Sequence, residues 1–226
     1  MDAGGVAPER LTITARSGSI VVRTGTGPEI ETKGAKVRLE GDGSTRIEGG
    51  SNSVEVVCPE GTDVILGTAS GKVTLEGPLG DVRITASSGS MHVEQARSLD
   101  LRVRSGSVEI GDVSGHCSVV ATSGRIEINS AGSIDLSGVS GTVVARSTGG
   151  GKVRTTSGRV SVGLNRAADL EVRGVSGTME IDVARGVLPE LRLHTLSGKV
   201  KRDVDQGNDC VVSVRTVSGS IKVRWM

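Results

Sequence analysis

A serine-glycine pair returns along most of this chain, anchored at Ser17, Ser70, Ser88, Ser105, Ser123, Ser140, Ser157, Ser176, Ser197 and Ser218, at intervals of 17 to 21 residues from Ser70 onward. Short-period repetition marks architectures in which one supersecondary unit stacks on its neighbours, because no unit buries its apolar face alone. The flanks repeat too. Apolar residues stand six and four positions before the serine and a small residue two before, as in Leu11, Ile13, Ala15 and in Val82, Ile84, Ala86. After the glycine, apolar residues return two and four positions on, as in Val108 and Ile110 or Ile221 and Val223.

Period-two alternation on both sides of the pair is the pattern of half-buried strands. Its parity shifts at the glycine, which places a corner there. Strands one whole repeat apart run in the same direction, so their pairing is parallel. The expected fold is all-β: a right-handed parallel β-solenoid, or β-helix, of about ten two-strand rungs of 17–21 residues, forming a rod on the order of 50 Å long. Residues 1–226 read as one solenoid domain, with regular Ser-Gly rungs over 63–226. Residues of about 11–62 keep alternating patches such as Val37-Arg38-Leu39-Glu40, but between residues 24 and 62 the Ser-Gly beat is lost. They are expected to form irregular first rungs or an N-terminal cap. At the other end Trp225 is expected to close the last rung, with a partner contact as the alternative, and the corner serines are expected to point inward as a ladder of hydroxyls.

Composition agrees with thin, repetitive layers. There are 34 Gly, no Phe, no Tyr and one Trp, so the core must be aliphatic. The net charge of +1 argues against electrostatic binding of nucleic acid. From Gly151 onward 13 Lys/Arg face 8 Asp/Glu, which leaves a net −4 for the first 150 residues. The start, Met1 to Pro8, lacks the basic and apolar regions of a secretory signal. No run reaches the ~18 apolar residues of a membrane span, so direct membrane insertion is not expected. Cys58, Cys117 and Cys210 are odd in number and scattered, unlike a disulfide framework or a zinc site. The chain therefore reads as cytoplasmic, with envelope association the alternative if a leader or membrane segment has been trimmed.

The stretch Val54 to Val64, containing Pro59-Glu60-Gly61-Thr62-Asp63-Val64, runs into Thr68-Ala69-Ser70-Gly71-Lys72-Val73 and then Gly80-Asp81-Val82. This succession resembles the bacterial "putative adhesin" or toast-rack family of β-solenoid domains, from about residue 11 to 225. Several corners carry Lys, Arg or Thr after the glycine where the family often has Asp. The resemblance implies a non-catalytic solenoid, in some members attached to envelope-sensing membrane proteins, with no catalytic residues to carry over.

Each chemical reading of the residues meets an obstacle. A nucleophilic serine needs a base beside it, whereas every corner has its serine and His92, His116 and His194 fall at outward parity. Calcium-binding rolls need carboxylates after their glycines, but Gly149-Gly150-Gly151 is followed by Lys152. A polysaccharide-cleaving β-helix would need paired acids such as Glu109 and Glu127, and aromatic platforms that are absent here. The expectation is therefore no enzyme, no metal and no cofactor. What remains is a scaffold or protein-interaction module, with self-association as its natural version and cell-envelope sensing or adhesion as the alternative. Its candidate surface is an outward apolar stripe of Val139, Val175, Leu196 and Val217 beside a basic column of Arg154, Arg173, His194 and Arg215. Exposed apolar patches mark partner surfaces, unless the longer loops of the same rungs fold over them.

Overall fold

The computed structural model describes residues 10–27, 30–39 and 44–226, and among these every regular element is a strand. In chain order they are β1 (Arg10–Ala15), β2 (Ser19–Gly25), β3 (Glu31–Lys33), β4 (Lys36–Leu39), β5 (Thr45–Gly49), β6 (Val54–Pro59), β7 (Asp63–Thr148), β8 (Gly151–Leu164), β9 (Leu170–Val183), β10 (Pro189–Ser197), β11 (Val200–Asp203) and β12 (Cys210–Trp225). The fold is all-β.

Extended, the 86 residues of β7 would span roughly 280 Å. Instead β7 turns back on itself at each Ser-Gly pair, so that successive corners touch. A methyl group at Gly89 would come within 1.9 Å of the Gly71 carbonyl oxygen, and one at Gly124 within 2.0 Å of that of Gly106. The contact continues from Gly141 to Gly158 to Gly177, giving one column of corners. Successive repeats pair in parallel and in register, with Ser140 opposite Ser157 and Ser157 opposite Ser176. The inward positions are buried: Val82, Ile84 and Ala86 before a corner, Met91 and Val93 after it. Each such aliphatic side chain contributes about 1.5–3 kcal/mol when fully buried, and the repeat supplies a similar set at every level.

At both ends, order in space departs from order in sequence. Strands β1 and β2 lie between the β5/β6 repeat and the start of β7, pairing in parallel with both. At the other end β12 lies between β9 and the β10/β11 repeat. The last described strand is therefore clamped on both sides, and β10/β11 is outermost. This corrects the expectation for Trp225. It stands in register with Val183, half-buried against the core, one level short of the end. Beyond β5/β6, β3 and β4 pair antiparallel with β6 and β5 and lie across that end of the stack.

The inward serine ladder also needs correction. Ser140, Ser197 and Ser218 are exposed and the other seven corner serines are half-buried. Ser157 and Ser176 donate only long bonds, 3.5 Å, to the carbonyls of Val139 and Thr156. The inward hydroxyls belong to threonines two residues earlier. Thr68 and Thr155 donate to the Ser70 and Ser157 carbonyls, and Thr216 to that of Val175. The parity shift begins at the serine, which turns its side chain to the rim of the corner.

Candidate interaction edge

The Ser-Gly corner is a rim where two strands meet, and the side chains one and three positions before the serine and two after it project from it. Register fixes their order. Arg154, Arg173, Arg215 and His194 lie side by side on consecutive levels. The apolar stripe follows the same order, Val139, Thr156, Val175, Val217 and Leu196. The longer loops leave it uncovered: Val139 is 51% exposed, Val175 49%, Val217 47% and Leu196 73%.

The basic column is partly neutralised. Arg154 pairs with Asp135 at 3.5 Å and Arg173 with Glu171 at 2.6 Å, whereas Arg215 and His194 have no ion-pair partner among the described residues. The Arg173 hydrogen bond holds the Glu171 carboxyl below its ordinary range.

Sorted by distance from the corner, the charges of the whole chain separate. Across all ten corners the three projecting positions hold ten Lys or Arg and no Asp or Glu. Arg102, Arg125, Arg154 and Arg173 pair with acids set back from the rim. The other six, Arg16, Lys72, Arg104, Arg159, Lys199 and Arg215, are exposed and have no side-chain partner among the described residues. A net charge of +1 conceals this segregation. Tabulating charge by offset from each serine would have revealed it from sequence.

The opposite, loop-bearing edge holds many of the acids, and most are engaged within the chain. Asp81 accepts from Arg97 at 3.0 Å and from Ser98 at 2.7 Å, while Asp63 accepts the Asp81 amide at 2.8 Å. The Arg97 and Ser98 hydrogen bonds lower the Asp81 pKa to about 2. Glu76 pairs with Arg23 and Asp182 with Arg224. Asp169 and Asp209 accept the amides of Val211 and Leu188, both at 2.8 Å.

The acid pair considered for polysaccharide cleavage sits on the sheet after the corner, in a shallow depression that also contains Ser90, His92 and Ser107. Glu127 is bound by Arg125 and lies 3.2 Å from Arg146. The Arg125 hydrogen bond holds its carboxyl below the usual range, the reverse of what a general acid requires. The Glu109 carboxylate lies 3.4 Å from His92 Nδ1. At the triple glycine, Arg166 Nη2 reaches the Gly132 carbonyl at 2.9 Å and lies against Gly149. No three His, Cys, Asp or Glu side chains converge as metal ligands among the described residues. The three cysteines are buried and unpaired, and burial pushes the Cys117 thiol up to about 12, leaving no ready thiolate. No helix among the described residues is long and apolar enough to cross a membrane.

Among solved structures, a crystal structure named "putative adhesin" from Bacteroides fragilis shares the fold, with a TM-score of 0.51 at 11% identity over 98% of this chain and 94% of that one. A "putative cell adhesion protein" from Clostridium sporogenes is matched over 97% of this chain and 94% of that one, at 9% identity and a TM-score of 0.21, too low to carry an argument. No curated protein is significantly similar in sequence. The family pattern described as Toastrack DUF4097 matches residues 8–224, and the chain belongs to that family.

Proposed function

We propose that this protein is a non-catalytic, adhesin-like interaction module, a single right-handed parallel β-solenoid of about ten rungs whose Ser-Gly edge meets its partner. The parallel register of successive repeats supports the winding, and connections between parallel strands are right-handed in nearly all proteins. The observation that carries the functional reading is the uncovered line of Val139, Val175, Val217 and Leu196 beside unneutralised cations. The buried, unpaired cysteines suit a reducing compartment and support a cytoplasmic module, with envelope association as the alternative. Sedimentation with bacterial envelope fragments tests this. The double substitution Leu196→Asp, Val217→Asp should lower the retained fraction without changing the melting temperature. Cleavage of a polysaccharide by the wild type, abolished by Glu127→Gln, would replace the reading with an enzymatic one.

Self-association is a second reading, favoured by the exposed apolar stripe, which a second copy of the chain would cover. Light scattering should then show particles larger than a monomer, and the same double substitution should shrink them if the stripe is the contact.

A further inference from the structure

We infer that the Ser-Gly edge is a docking keel for an anionic lipid surface, an inference that rests on the reading of this edge as the contact surface. The first support is the charge segregation along the rim. Six exposed cations without internal partners among the described residues run from Arg16 near one end to Lys199 at the other, and no Asp or Glu occupies the projecting positions of the ten corners. Successive corners stand about 4.8 Å apart, so the ten corners form a line of roughly 43 Å, eight of them carrying at least one Lys or Arg. A ridge of that shape presents several charges to one surface.

A second copy of this chain offers fewer free acids than its sequence suggests. On the loop edge Asp81, Asp182, Asp169 and Asp209 are already bound to arginines or backbone amides of their own chain, which leaves Glu60, Asp112, Asp203 and Asp205 without a partner among the described residues. The partner must bring uncompensated negative charge.

The aliphatic line separates a lipid surface from a soluble polyanion. Val139, Val175, Val217 and Leu196 project from the same rim as the cations and remain 47–73% exposed. A phosphate or sulfate polymer offers nothing to such side chains. A phospholipid interface takes both: headgroup phosphates bind the guanidinium and ammonium groups, and the acyl boundary takes shallow aliphatic residues. Because the stripe occupies the C-terminal levels, that half of the keel should hold deeper and the N-terminal half should hold by charge alone.

The experiment is co-sedimentation of the full chain with phosphatidylcholine vesicles, with and without about a third phosphatidylglycerol. Binding is expected only to the anionic vesicles and should weaken as salt rises. Near such a surface each cation contributes about fivefold in partitioning. Arg159→Gln should therefore weaken binding about fivefold, and neutralising Lys72, Arg104, Arg159, Lys199 and Arg215 together by more than about a hundredfold. Removing five exposed cations elsewhere, Lys33, Lys36, Arg38, Arg185 and Lys201, produces the same net charge and should cost far less. Leu196→Ser with Val217→Ser should lower the binding that survives at high salt. Equal loss from the two charge sets would overturn the inference, because net charge and not the edge would then govern. So would binding to soluble polyphosphate with no binding to vesicles. Light scattering and envelope retention on the same samples keep the outcomes separate: a vesicle failure with edge-dependent retention intact removes the lipid and leaves the interaction module.

Discussion

Gly106 sits directly against Gly89: a methyl group on Gly106 would come within 2.0 Å of the Gly89 carbonyl oxygen, at a φ of +145° that side chains rarely adopt. Two independent constraints thus fall on one residue, and the same pair of constraints recurs up the corner column. The glycine is needed for the close approach of one level to the next as much as for the bend itself.

Gly106→Ala should therefore destabilise the fold by more than about 2 kcal/mol, adding backbone strain to a clash with rigid backbone. The neighbouring Ser107→Ala, at an exposed side chain with no bonded partner among the described residues, should change stability by less than about 0.5 kcal/mol. Urea denaturation of the two variants checks the contrast. Equal midpoints would show that the corner relaxes without cost.

The Asp81 clasp predicts acid sensitivity. Its carboxyl is held at about 2, against an ordinary 3.8, first by the Arg97 hydrogen bond and then by Ser98. A depressed folded-state pKa contributes stability above the unfolded value, lost as pH falls through the folded one. The window is thus between about pH 4 and pH 2. Because the clasp is exposed, the contribution is screened and should shrink with salt. Asp81→Asn should flatten this part of the melting temperature against pH, and an unchanged slope would assign it to other carboxylates.

Much of the fold was legible because local and long-range demands coincide in a repeat. Strand, corner and inward parity could all be read from the spacing around Ser88 or Ser105. The order of the end levels could not be read from that spacing, since Ser197 and Ser218 share the pattern before the serine and either could be outermost. One residue did carry the signal. Four positions after the glycine other corners hold Leu75, Val93 or Ile110, and the Ser197 repeat holds Arg202. A cation there fits only where no further level covers it. The serine orientation was missed because parity alone cannot locate the residue at which a bend begins.

The interleaved end makes β12 a removable wedge. It pairs with β9 on one side and with β10 and β11 on the other. A chain ending at Gly207 loses both sets of pairings and leaves its outer repeat unsupported. It should melt well below the full chain, and a synthetic peptide of residues 208–226 should bind it and restore the melting temperature. A truncated chain as stable as the parent would show that β12 contributes little to the stack.

Arg202 is the second half of this argument. Its register partner is Val223, which is fully buried, and Val223 in turn lies opposite buried Ile181. Arg202 thus continues a core column on the outermost level, where no further strand lies above it among the described residues. An inward-facing charge on an edge strand opposes addition of another strand, since stacking a further copy would bury an unpaired guanidinium. Val200 beside it is 44% exposed, so the charge is what interrupts an otherwise apolar end. Arg202→Val should extend the aliphatic column to the surface and promote end-to-end association, seen as concentration-dependent growth in light scattering. Arg202→Lys should leave the particle size unchanged. If the valine variant stays at the parental size, the open edge is blocked by something other than this charge.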